Sequence, residues 1–187
     1  MNSLEAVEAV VAASPEAVFV SALGTATSAL RAATKDGPHL YMGGAMGSAV
    51  AVALGVAEAA PELPVVAIVG DGELLMGASS LWSVAGLAPA NLSLVVLVDG
   101  LYGITGGQQL VTDPRFRAVA DALGVATARA ANVEELGRVL STTDRPALIE
   151  AVIGPPNAWE RPSPFVDPTA TRHRFAARLA ELRSVGR

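Results

Sequence analysis

The sequence predicts an α/β protein, a doubly wound and mainly parallel sheet with helices on both faces. Two observations lead there. "VVAIVG" (65–70) and "LSLVVLVDG" (92–100) are continuous apolar runs closed by turn residues, as expected of strands covered on both faces of a parallel sheet. Segments of helical spacing alternate with the strands, the order of βαβ units.

Each element has its own signal. "SLEAVEAVVAA" (3–13) has helical spacing, and "AVFVSAL" (17–23) is a short β-branched run that ends at Gly24, a strand opening into a loop. "GSAVAVALGVAEAA" (47–60) reads as a buried helix of small residues, stopped by Pro61 and Pro64. A helix is expected near Met76 to Leu87, between the two long strands. Asp113-Pro114 starts a helix over "RFRAVADALG", "NVEELGRVLS" (132–141) is another, and "PALIEAVI" (146–153) is a late strand. Residues 154–168 are proline-rich and read as an extended linker to the terminal amphipathic helix "TRHRFAARLAELRS". The whole of 1–187 is read as a single domain.

Composition narrows the function. The chain has no cysteine, which excludes disulfides, zinc-thiolate sites and thiol nucleophiles. Its net charge of −5, with scattered Lys and Arg, lacks the basic stripe of a nucleic-acid binder. The N-terminus has acids where a signal peptide would be apolar, so a cytoplasmic location is expected. From Gly37 to Ala57 no Asp, Glu, Lys or Arg appears, but Pro38, His39, Ser48 and the interspersed glycines argue against a membrane span. Apolar residues make up 51% and aromatics only 4%. That surplus suggests either a partner-covered surface or an alanine-rich bias.

In doubly wound sheets, ligands sit outside the carboxyl ends of the strands. Gly24-Thr25, Gly70-Asp71-Gly72 and Asp99-Gly100 all fall at such ends, so three loops converge on one edge. A dinucleotide fingerprint fails there, because Leu75 takes the place of the third glycine and Asp71 stands where a pyrophosphate would approach. A bare carboxylate in a phosphate loop repels the phosphate unless a cation is shared between them. Asp71 and Asp99 at neighbouring strand ends would suit magnesium, which combines one or two carboxylates with phosphate oxygens. An Asp-Gly turn remains the alternative for each taken singly.

"GDGELLMGASSLWSVAGLAPANLSLVVLVDGLYG" resembles the thiamine-diphosphate motif, a GDG followed after roughly 25 to 30 residues by an Asn-containing loop. "MGGAMGSAVAVALGVA" (42–57) resembles the upstream segment of the same pyrophosphate-binding domain. "HLYMGGAMG" and "LYGITGGQ" look closest to the small subunit of sulfopyruvate and phosphonopyruvate decarboxylases.

The resemblance implies a thiamine-diphosphate-binding fold in which Asp71, Asp99 and the Leu101 carbonyl bind Mg2+. It implies that Gly24, Thr25, Gly72, Glu73, Tyr102 and Gly103, together with Ile104 and Thr105, hold the coenzyme. Met46 matches the apolar wedge beneath it, and the Gly44 carbonyl matches the acceptor for its 4′-amino group. Thr105 and Gln108 are also candidates to meet substrate. The family usually has Asn at the position of Asp99, so this site carries one more negative charge.

The implied reaction is non-oxidative decarboxylation of a small 2-oxo acid. A C–C bond-forming synthase subunit and a non-catalytic cofactor-binding partner would share the same residues. The family's catalytic glutamate lies in a separate pyrimidine-binding domain, for which this chain has no room, so a partner subunit in a hetero-oligomer is expected to supply it. The catalytic residues of this chain are unassigned, His39 being a weak candidate for an acid or base. His173, in the Arg-flanked terminal helix, reads as a surface residue.

Overall fold

The computed structural model describes residues 1–154, 162 and 165–185, so most of the expected linker lies outside the described residues. Among these residues the strands are β1 (Val18–Ser21), β2 (Leu40–Tyr41), β3 (Val65–Gly70), β4 (Leu92–Val98), β5 (Leu101–Tyr102), β6 (Gln108–Gln109), β7 (Ala126–Ala130) and β8 (Ala147–Val152). The helices are α1 (Ser3–Ala13), α2 (Thr25–Thr34), α3 (Ala49–Ala59), α4 (Asp71–Met76), α5 (Ser80–Leu87), α6 (Phe116–Ala122), α7 (Val133–Thr142) and α8 (Pro168–Val185).

Six strands form one sheet in the order β2-β1-β3-β4-β8-β7, and every pairing in it is parallel. The doubly wound expectation therefore holds. The central strands β3 and β4 are buried on both faces, which is why their sequences are unbroken apolar runs rather than alternating ones. Right-handed crossovers put α3, α5 and α6 on one face and α2 and α7 on the other. Consistent with this, α3 packs on α5, and α1 packs between α2 and α7.

Side-chain hydrogen bonds fix several element ends. Asn2 and Glu5 form a capping box at the start of α1, and Asn132 accepts from the Glu135 N–H at the start of α7. The Asn91 amide donates to the carbonyls of Ala57, Ala60 and Leu63, tying the end of α3 to the start of β4.

The helix expected near Met76 to Leu87 is two helices. The first begins at Asp71, stops at Gly77, and resumes at Ser80. The break falls at a close approach of two backbones: a Cβ on Gly77 would lie 2.0 Å from the carbonyl oxygen of Gly47, so the position requires glycine. The terminal helix buries the stripe Thr171, Phe175, Leu179 and Leu182 and packs against β2. Among the described residues no helix is long and apolar enough to cross a membrane.

Candidate functional site

The sheet reverses its winding at β1, with β2 on one side of it and β3 on the other. A pocket opens at that switch point, outside the carboxyl ends of β1, β3, β4 and β8. Gly24 and Thr25 line it from the end of β1, Gly70 to Glu73 from the end of β3, and Asp99 from the end of β4. The loops read from sequence as convergent do converge.

Asp71 is the hinge of this arrangement. Only 2% exposed, it accepts through Oδ1 from the Gly72 N–H (2.7 Å) and through Oδ2 from the N–H groups of Asp99 (3.1 Å) and Gly100 (2.7 Å). One carboxylate thus pins the end of β4 to the end of β3. Burial pushes its pKa above the ordinary value, and the backbone donors pull against that shift. Asp99 Oδ1 accepts from the Leu101 N–H at 3.0 Å, a local turn that turns the chain into the β5–β6 hairpin.

That hairpin roofs the pocket. Tyr102 lies directly over Gly72, where an added Cβ would come within 2.7 Å of the ring, and Ile104 lies against Gly24, with 2.8 Å to an added Cβ. Gly24 has φ +73°, a conformation that glycine adopts without strain. Gly103 and Thr105 complete the roof on the pocket side.

Met46 lines the pocket from the loop before α3, at 37% exposure. Glu73 is buried, with Oε1 accepting from the Ala49 N–H (3.3 Å) at the start of α3 and Oε2 lacking a hydrogen-bond partner. An orphaned carboxylate oxygen in a pocket calls for a donor or a cation. Sequence reasoning placed Glu73 among the residues that hold the coenzyme and missed this cap at the start of α3.

Three candidates fall outside the lining, Gln108 among them, whose exposed side chain accepts from the Thr105 hydroxyl (2.7 Å) and donates to the Thr105 carbonyl (2.8 Å). Gly44 is exposed on the loop ahead of Met46. His39 precedes β2, and its ring packs edge-on against Phe19 at 4.9 Å. Burial lowers its pKa to about 4, with Arg178 adding to the shift. Its ring lies outside the pocket lining, packed on the strand that leads to Gly24. Sequence reasoning also missed the apolar wall, made by Leu23, Ala26, Met76, Leu97 and Ile153. Leu97 and Ile153 were findable as residues at the carboxyl ends of strands already identified.

Among the described residues no group of three or more His, Asp or Glu gathers as a metal site. Asp71, Asp99 and Leu101, the residues expected from sequence to hold a metal, all line the one pocket.

The fold and site define a doubly wound protein with a ligand pocket at its switch point. Residues 21–151 match the family described as thiamine pyrophosphate enzyme, C-terminal TPP binding domain. The chain belongs to the thiamine pyrophosphate enzymes. It is 38% identical over 167 residues to a phosphonopyruvate decarboxylase of Streptomyces viridochromogenes, covering 87% of this chain but 42% of that relative. It is 30% identical over 159 residues to the sulfopyruvate decarboxylase subunit beta of Methanothermobacter thermautotrophicus, covering 84% of this chain and 85% of the relative. The fold is shared with a thiamine diphosphate-dependent 4-hydroxybenzoylformate decarboxylase of Rhodococcus jostii RHA1, with TM-score 0.67 and 23% identity over 82% of this chain and 33% of that one.

Proposed function

We propose that this chain is the pyrophosphate-binding subunit of a heteromeric thiamine-diphosphate-dependent 2-oxo acid decarboxylase, of the sulfopyruvate or phosphonopyruvate kind. The observation that carries the reading is the convergence of Asp71, Asp99 and the β5–β6 hairpin on one pocket at the switch point of this fold.

In this reading the Asp71 and Asp99 carboxylates and the Leu101 carbonyl hold Mg2+. Backbone N–H groups of Gly72 and Glu73, with Gly24, Thr25 and the Tyr102–Thr105 roof, hold the diphosphate. The fit is supported by the orphaned Glu73 Oε2 and by the raised pKa of Asp71, since both acids gain from a nearby cation. When bound, the coenzyme supplies the electron sink for loss of CO2 from a 2-oxo acid. The chain's own residues bind and orient: Met46, Met76 and Ile104 form an apolar side of the pocket, and the acids position the cation. The glutamate that activates the aminopyrimidine comes from a pyrimidine-binding subunit.

Calorimetry with thiamine diphosphate and Mg2+ tests the binding half of this reading. The unaltered chain binds the pair, and Asp71→Ala reduces the affinity by about 100-fold or more, equivalent to roughly 2.7 kcal/mol. Unchanged affinity in that variant overturns the metal assignment. A CO2-release screen on 2-oxo acids, run with and without the pyrimidine-binding subunit, tests the catalytic half. Turnover only by the pair is the expected result.

A further inference from the structure

We infer that the Glu73 side chain is a positioning residue: it ties the loop that carries Met46 to helix α4, and so sets the apolar side of the pocket at a fixed place relative to Asp71. The inference rests on the reading above for what the pocket holds. Glu73 is buried at 6% exposure, and its Oε1 accepts from the Ala49 N–H at 3.3 Å, across 24 residues of sequence. Ala49 opens α3, whose own N-cap residue, Ser48, gives the helix no side-chain cap. The Ser48 hydroxyl donates instead to the Ala45 carbonyl, at 2.6 Å. The unpaired N–H groups of a helix start need acceptors, and a carboxylate also suits the positive end of the helix dipole. Glu73 supplies both from another element.

The loop fastened in this way does not hold its shape by local preference. Met46 stands between Ala45 at φ +53° and Gly47 at φ +93°. A left-handed alanine is strained and persists only where its surroundings fix it. The Glu73 cap does so from the first turn of α4, and the close approach of Gly47 to Gly77 does so at that helix's far end. Asp71 is the first residue of the same helix. One short segment therefore sets the acid and the methionine, which both line the pocket, at a fixed separation.

Two observations separate this role from direct ligation. Among the described residues Glu73 does not gather with Asp71 and Asp99 as a metal site. Its Oε1 is committed to the Ala49 N–H, and its Oε2 is buried without a partner. The side chain acts on a bound ligand through the loop, and the consequence is selective. Loss of the cap loosens Met46, the expected wedge beneath the coenzyme, and leaves in place the Gly72 and Glu73 N–H groups assigned to the diphosphate.

Calorimetry with two ligands tests this, thiamine diphosphate and inorganic pyrophosphate, each at saturating Mg2+. Both carry a diphosphate, so the ratio of their affinities cancels the effect of removing a charge. Glu73→Ala shifts the ratio against thiamine diphosphate by about tenfold, the scale of a lost helix cap. Glu73→Gln, whose amide oxygen still accepts from the Ala49 N–H, shifts it by less than about threefold. The two variants lose the same charge, so the difference between them is the cap. Met46→Ala also shifts the ratio but adds little to Glu73→Ala, because the two residues act along one path. Without ligand, hydrogen exchange at the Ala49 amide quickens in Glu73→Ala and stays slow in Glu73→Gln. Should Glu73→Ala not fold, Glu73→Asp, whose carboxylate is one methylene short of Ala49, takes its place in each comparison. Equal loss of both ligands in Glu73→Ala, an equal shift in Glu73→Gln, full additivity with Met46→Ala, or unchanged exchange at Ala49 overturns the inference. An unaltered chain that binds neither ligand, while Glu73 still governs exchange at Ala49, refutes the reading of the pocket and leaves the positioning role standing.

Discussion

Asp71 is pulled in two directions, since burial disfavours its charge and three backbone N–H groups favour it. Burial is the larger effect, so its pKa lies above the ordinary value. An acid of this kind holds its proton more tightly folded than unfolded, and its contribution to stability is present at low pH and lost as pH rises through the folded pKa. Cation binding requires the opposite state. The rise in Tm produced by Mg2+ with thiamine diphosphate should therefore be larger above the folded pKa of Asp71 than below it and vanish in Asp71→Asn; a pH-independent rise refutes the role. His39 behaves in the inverse sense. Its folded pKa is about 4 against an ordinary 6.5, so stability falls as pH drops from about 6.5 to about 4, because only the unfolded chain takes up the proton. After allowance for water at the half-buried ring the loss is roughly 2 kcal/mol. Urea denaturation of His39→Gln at pH 7 and pH 4 should show a flatter acid limb, and parallel limbs exclude this cause. Asp71 was legible because a carboxylate between glycines at a strand end has few uses. His39 was not, since its environment is set by Phe19, a residue of β1 that no local spacing connects to it.

The junction of α4 with the loop before α3 positions both Asp71 and Met46. Its closeness depends on Gly77 facing Gly47, whose φ of +93° a side chain would strain. Gly77→Ala forces this junction apart and should destabilise the fold by roughly 2–4 kcal/mol, as overpacking against backbone does. Gly137→Ala, where an added Cβ meets open space in α7, should stabilise by about 0.5–1 kcal/mol. Equal effects in urea denaturation would show that the contact is not what holds the junction. Gly72→Ala differs from both, because the group it meets is the Tyr102 ring on the hairpin, which can swing aside. Stability there changes little, while calorimetry should record weaker coenzyme binding. The strands over 65–70 and 92–98 were legible as unbroken apolar runs, and the Gly77 break was not, because the backbone that approaches it lies thirty residues away in sequence. The short β2, the β5–β6 hairpin and the edge strand β7 also escaped notice. β2 and the hairpin strands have two residues each, and the "ATARA" of β7 is held by pairing with β8 rather than by any β-branched pattern of its own.

The molecule as a whole is acidic, at net charge −5, and the pocket concentrates that sign. Asp71, Glu73 and Asp99 line it, and among the described residues no Lys, Arg or His joins them in the lining. A diphosphate without its cation would meet three carboxylates and only backbone N–H groups in compensation, and like charges in a partly desolvated site repel strongly. EDTA should therefore abolish binding of thiamine diphosphate outright, and added Mg2+ should restore it. Tight binding that persists in EDTA would show that the backbone donors suffice alone. Asp99→Asn refines the same balance, since it removes one charge that attracts the cation and repels the diphosphate. At saturating Mg2+ the repulsion dominates, so the variant should bind the coenzyme as tightly as the unaltered chain or more so. At limiting Mg2+ the lost attraction dominates and the variant should bind more weakly. Titrations at the two Mg2+ concentrations should therefore cross, and weaker binding by the variant at both would mean that Asp99 serves the coenzyme through something other than its charge.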